Sequence, residues 1–273
     1  FILGRLNKSH LENIGCKPRS GEMQVLRNTS RQVSSYKDPA NSMNPIKINL
    51  VLLGNLKYPI DVASLEAWKS KIVKIQHGAS VGHLPDAEGD DWEYTDEQLS
   101  NLLSGDSNSD FTLGVINTPL EGNYYLRRLS DRVAVLSLHE MAEIVRYSDF
   151  AIEQYVLRNA YELAVLFIAT GKLIPSEYTT WAHDEVRGCL FDMNANKPDI
   201  VFSLHRPNLC QACKTRVSSK QVPAALIPTL ESELTRIQKT LYVRMAEWVR
   251  SHPIAAIFIT ADSSVVLNFF SSV

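Results

Sequence analysis

The chain has 273 residues, 45% hydrophobic and 21% charged, which is enough apolar material for one large core or two modest ones. Its 28 Lys and Arg against 30 Asp and Glu leave a formal charge of −2, so there is no electrostatic case for nucleic acid as the main partner. Four cysteines (Cys16, Cys189, Cys210, Cys213) are too few for a disulfide scaffold of this length, and three of them form C-x20-C-x2-C, a metal-ligand spacing before a disulfide spacing.

Residues 1–44 are polar and basic, through Arg5, Lys8, Lys17, Arg19, Arg27, Arg31 and Lys37, and read as a flexible arm without a core. The opening Phe1-Ile-Leu-Gly-Arg-Leu lacks the basic-then-apolar run of a secretory signal, so the expected compartment is a reducing cytoplasm where thiolates persist as ligands. Residues 46–54 form a β-branched, nearly continuous apolar run ending at Gly54, the pattern of a buried strand. Over 62–75, Leu65, Trp68, Ile72 and Ile75 recur at three- and four-residue spacing, which predicts a helix.

Residues 87–94 are acidic and turn-rich, a surface excursion, and a short helix over 96–103 is expected to start from a cap near Thr95. Residues 111–117 and 133–138 read as two more buried strands. In the loop between them, Tyr124 and Tyr125 are expected to pack over the sheet edge, with Arg127 and Arg128 solvated. Residues 140–169 are helical with a break around 147–149, and 227–250 read as one long amphipathic helix ended by Pro253. His139-Glu140-Met-Ala-Glu143 fits a helix start with acidic residues at its positive end. His77 and His83 read as surface residues, and Gly78 and Gly82 do not build a phosphate loop.

The stretch 253–270 is apolar and near the lower limit for a membrane span, but Asp262, Ser263, Ser264 and Asn268 are costly in hydrocarbon. Two expectations stand for it: a β-hairpin over 254–260 and 265–270, or a surface for a membrane or a hydrophobic protein partner.

The chemistry concentrates in 182–192 and 206–213. Cys210 and Cys213 can grip one tetrahedral ion from a single turn, and Cys189 supplies a third thiolate. The fourth ligand comes from His183, Asp184, Glu185, Asp192 or His205, with Asp184 or His183 favoured. A zinc-deaminase pattern, H-x-E then P-C-x-x-C, is approximated by His183-Asp-Glu185 and Cys210-x-x-Cys213, but Pro207 is not adjacent to the cysteine and Cys189 is surplus.

Cys189-Leu-Phe and Arg206-Pro-Asn-Leu-Cys-Gln-Ala-Cys213 resemble the archaemetzincins, a zincin family with an extended H-E-x-x-H-x-x-G-x-x-H-C motif and a further C-x4-C-x-M and C-x2-C. The order of elements from residue 45 to 217 resembles that family as well. The resemblance places His183 at the third histidine, Asp184 at the first structural-zinc cysteine, Cys189, Cys210 and Cys213 at the other three, and Phe191 at the Met-turn methionine. The first two histidines do not carry over: placed by the helix, their motif falls on Tyr161-Glu162-Leu-Ala-Val165, and counted back without a gap it falls on 173–177. Only Glu162 remains as a candidate base, with His183 as a candidate ligand.

The expected fold is α+β, with a metzincin-like twisted, mainly parallel mixed sheet, packed helices, a zinc-stapled loop region at 183–217, and a C-terminal long helix with a hydrophobic tail. Its parts are the arm 1–44, a zinc-binding domain 45–217, and a helix-plus-tail 218–273. The resemblance implies one structural Zn2+ and no working hydrolytic centre, so the expected mode of action is interaction with a protein or membrane through the tail. The rival expectation is an active zinc metallopeptidase with a non-standard ligand set and Glu162 as base.

Overall fold

The computed structural model describes residues 43–174, 181–239 and 241–254. Cys16, nearly all of the basic arm, and the tail beyond Ile254 lie outside the described residues.

Five strands, β1 (Ile46–Leu53), β2 (Val73–His77), β3 (Phe111–Ile116), β4 (Leu126–Ser130) and β5 (Val133–Ser137), form one sheet in the order β2-β1-β3-β5-β4. The pairings β1/β2, β1/β3 and β3/β5 are parallel, and β4 closes one edge antiparallel to β5. Every residue of β3 and β5 is buried, as expected of central strands covered on both faces.

The helices are α1 (Val62–Glu66), α2 (Asp96–Leu102), α3 (Met141–Tyr147), α4 (Ile152–Thr170), α5 (Ile200–His205), α6 (Gln211–Ser218), α7 (Leu226–Leu234) and α8 (Leu241–Ser251). The long α4 is buried along most of its length in the main core, which includes Ile48, Leu50, Phe111, Leu113, Leu136 and Ala134. A second, smaller cluster around Val51, Leu53, Leu99, Leu103 and Ile116 holds α2 against the sheet. Gly114 in β3 makes that approach possible, because a Cβ there would come within 2.6 Å of Leu103 Cδ1.

The cap at Thr95 and the break before α4 are as expected. Thr95 and Gln98 form a reciprocal capping box, and Asp149 turns the chain at φ 59°. Three expectations are corrected. The helix over 62–75 stops at Glu66, and its second half is strand β2. Ser70 Oγ accepts from the amides of Ile72 and Val73, and Glu233 accepts from Lys71, so these N–H groups are taken from any continuing helix. The long helix over 227–250 is two helices: buried Ile237 anchors the turn to the core, and the Gln154 amide donates to the carbonyls of Ile237 and Gln238 (3.0 Å to the latter). The loop over 120–128 is in part strand β4, and its arginines are not simply solvated. Arg127 pairs with Asp96, and Arg128 reaches Glu162 at 3.5 Å with only 9% of its side chain exposed. Of the two tyrosines, Tyr125 is buried and Tyr124 is exposed.

Candidate metal centre

A short ladder draws together cysteines distant in sequence. Gly188, at φ 69°, turns the chain so that Leu190 N–H donates to Asn208 O (2.9 Å) and Asn208 N–H donates to Gly188 O (3.1 Å). Cys189 thereby lies beside Cys210, whose backbone N–H donates to Cys189 Sγ at 3.3 Å. Cys210 immediately precedes α6 and Cys213 is in its first turn, where helical spacing and the positive end of the helix favour two thiolates.

His183 arrives from a second bridge, His183 opposite Asp192, in which His183 N–H donates to Phe191 O (3.1 Å) and Met193 N–H donates to His183 O (3.0 Å). Its Nδ1 lies 3.0 Å from Glu185 O and 3.1 Å from Asp192 Oδ1, and its Nε2 lies 3.5 Å from Cys210 Sγ. Asp192 is itself fixed by the amides of Arg187 and Cys189, each 2.9 Å from Oδ2. This is the arrangement that orients a histidine for metal: one ring nitrogen held by the Glu185 carbonyl with the Asp192 carboxylate beside it, the other directed at Cys210.

The ligand atoms of His183, Cys189, Cys210 and Cys213 all lie within 4.8 Å of one another. Bond lengths of about 2.3 Å to sulfur and 2.0–2.1 Å to nitrogen put tetrahedral edges at about 3.5–3.8 Å, so a modest contraction completes a Cys3His shell of the zinc class.

Without an ion, the cluster favours one thiolate, Cys189. The hydrogen bond from Cys213, against the cost of burial, holds the Cys189 thiol well below its ordinary range, helped by the Cys210 and Phe191 amides. The same shared proton, together with burial, pushes Cys213 up. Burial lowers the His183 pKa, but hydrogen bonding and attraction to Cys189 outweigh it and the net direction is up.

Of the other residues predicted as ligands, Asp184, Glu185 and His205 are exposed and outside this group of four, and Asp192 is buried with its carboxylate 3.1 Å from the His183 ring. Of the two favoured fourth ligands, the geometry brings in His183. Phe191 is buried against Trp181, with ring centroids 5.5 Å apart. His139 and Glu140 precede α3, and the Glu140 carboxylate is bonded to Lys197 at 2.8 Å.

Glu162 lies inside α4 between two guanidinium groups, Arg158 one turn earlier and Arg128 on β4. Burial pushes its pKa up against the pull of both arginines. Among the described residues it belongs to no group able to hold a metal. Arg158, unmarked in the sequence analysis, is fully buried and ties α4 to the metal loop through Cys189 O (3.3 Å) and Leu190 O (2.7 Å) and to α5 through Ser203 Oγ (3.1 Å). The available signal was an Arg and a Glu four residues apart within a mainly apolar helix.

Fold and site together define a mixed α/β protein with a candidate four-ligand Cys3His centre. No family model and no curated protein matches the chain. Among solved structures it is similar to an archaemetzincin from Methanopyrus kandleri, at 17% identity and a TM-score of 0.41, over 64% of this chain and 94% of that one.

Proposed function

We propose that this chain is a zinc-binding, archaemetzincin-like protein in which one structural zinc, held by His183, Cys189, Cys210 and Cys213, staples the 183–217 region, and that it acts by interaction and not by hydrolysis. The observation that carries this reading is the closed donor set: four side-chain ligand atoms converge within 4.8 Å. A hydrolytic zinc keeps three protein ligands, an open water position and a nearby carboxylate base. Here a fourth side chain fills the shell, and Glu162 is committed to Arg158 and Arg128. The zinc would supply a cross-link between loop and helix, whose four donors repel or shift protons without it.

A deaminase would use His183, Cys210 and Cys213 with Glu185 as base. Cys189 occupies the place its water needs, and Glu185 is paired with Arg187 at 3.0 Å. The hydrophobic stretch 253–270 is the proposed contact to a protein partner or membrane; no helix among the described residues is long and apolar enough to cross a membrane.

Metal analysis of freshly purified protein tests the reading. One zinc per chain is expected. Less than about half an equivalent removes the staple, and two equivalents revive the metallopeptidase with Glu162 as base. Fractionation after deletion from His252 onward tests the tail, and an unchanged membrane fraction removes its anchoring role.

A further inference from the structure

A cleft of about 1230 Å³ opens at the carboxyl ends of three adjacent parallel strands, away from the Cys3His group. Lys57 lies just beyond β1, Asn117 directly follows β3, and Leu138 and His139 directly follow β5. From β1 the chain runs to β2 on one side, then returns to place β3 and β5 on the other. The cleft is therefore where the connections diverge, the position at which open parallel sheets bind small ligands.

Its walls carry two ion pairs, Lys57–Glu143 at 2.5 Å and Lys197–Glu140 at 2.8 Å, and Lys197 also donates to Asn123 Oδ1 at 2.6 Å. Glu140 (φ 60°) and Asn123 (φ 54°) are both non-glycine residues at positive φ, so the surrounding structure holds the two partners of Lys197 in place on this wall. Each lysine has a carboxylate, which leaves no surplus of positive charge for a phosphate. Each of these two carboxylates has an ammonium, which leaves no vacant anionic cage for a divalent cation. Asp199 on the rim gives the cleft one more carboxylate than ammonium. The Lys57–Glu143 pair is exposed on both sides, and in the other pair Lys197 is largely covered while the Glu140 carboxylate is open, so both carboxylates face solvent and can exchange a surface contact for one with a ligand.

We propose that this cleft binds a small zwitterion of the α-amino acid class. The ligand's ammonium sets against Glu140 or Glu143, its carboxylate against Lys197 or Lys57, and the amides of Asn117 and Asn196 serve its remaining polar groups. The volume accommodates an extended side chain or an N- or C-linked derivative that keeps both charges.

The test is a chemical-shift titration of the full chain with mixtures of the proteinogenic amino acids, followed by the best binder and its N-acetyl and carboxamide derivatives. Saturable binding is expected, weakened roughly tenfold in K197M and in E140Q and by a similar factor in either blocked derivative, as for loss of one charge-assisted hydrogen bond. Zinc content, measured on the same samples, stays at the wild-type value, which separates this site from the metal centre. The proposal is overturned by no saturable binding up to about 10 mM, by blocked derivatives that bind as well as the parent, or by inorganic phosphate or magnesium binding in the amino acid's place.

Discussion

Replacing Arg158 with methionine removes the fastener between α4 and the metal loop while keeping most of the side chain's length and apolar contact. The native guanidinium is fully buried and donates to Ser203 Oγ, Asn159 Oδ1 (2.9 Å), the carbonyls of Cys189 and Leu190, and the Glu162 carboxylate. Breaking a buried pair by removing one partner costs about 3–5 kcal/mol, because the other is left charged and dry. For a domain of this size, roughly 2–4 °C per kcal/mol turns that into a fall of about 6–20 °C in the melting midpoint. Two features limit the loss: Arg128 stays 3.5 Å from Glu162, and the carboxyl, already pushed up by burial, takes a proton more readily once Arg158 is gone. Urea unfolding of R158M, E162Q and the double variant near pH 7 measures the coupling, with zinc content followed alongside. The double variant should recover about 0.5–3 kcal/mol relative to additivity. A loss below about 1 kcal/mol in R158M, or strict additivity, refutes the idea that this pair holds the loop in place.

Zinc content falls to near zero in H183A and in C213S, with loss of cooperative melting for the 183–217 region, whereas D184N keeps its zinc and stays within about 0.5 kcal/mol of wild type; metal analysis and calorimetry check both. D192N keeps all four ligands but removes the negative charge 3.1 Å from the His183 ring, so competition with a chromogenic chelator should give a zinc affinity lower by about 10–100-fold, and an unchanged affinity would deny Asp192 a part in the site. E140Q reports a pH-dependent contribution. The hydrogen bond from Lys197 holds the Glu140 pKa below its ordinary value of 4.5, so the native state binds fewer protons there than the unfolded chain. The stability this gives is present above pH 4.5 and lost as pH falls through the lowered native value. E140Q should therefore be less stable than wild type near neutrality and converge with it in acid, as read by melting midpoints across that range.

The central sheet is legible because β1, β3 and β5 are short continuous apolar runs, and burial on both faces leaves no other reading. What escapes is set by contacts distant in sequence. Val73, Lys74 and Ile75 alternate as a strand, yet Leu65, Trp68, Ile72 and Ile75 also satisfy a helical period; Glu233, more than 160 residues away, helps decide the matter by taking the Lys71 amide. Strand β4 is hidden because Arg127 and Arg128 look like solvated residues, and their carboxylate partners lie on α2 and α4. The three cysteines of the site can be read from their spacing. Choosing between His183 and Asp184 cannot, since they are neighbours and both bind zinc. The bridge to 191–193 settles the orientation: with His183 N–H and C=O both engaged there, the imidazole faces Cys210 and the next side chain faces solvent.

Arg158 and the Cys3His group act on the same few residues. The carbonyls of Cys189 and Leu190 are held by the guanidinium from the α4 side, while the Cys189 thiol joins His183, Cys210 and Cys213 on the other. The loop, whose Leu190 and Phe191 are buried in the main core, is thus also fixed by polar contacts from two directions. The same contacts bear on the proposed non-hydrolytic reading, because they engage the Glu162 carboxylate. A general base must reach the proton it removes and bear a free lone pair towards it, whereas this carboxylate is enclosed by the cation that organises the loop. Freeing it would require removing Arg158, and with it the hydrogen bonds to Cys189 O and Leu190 O that hold the loop carrying Cys189.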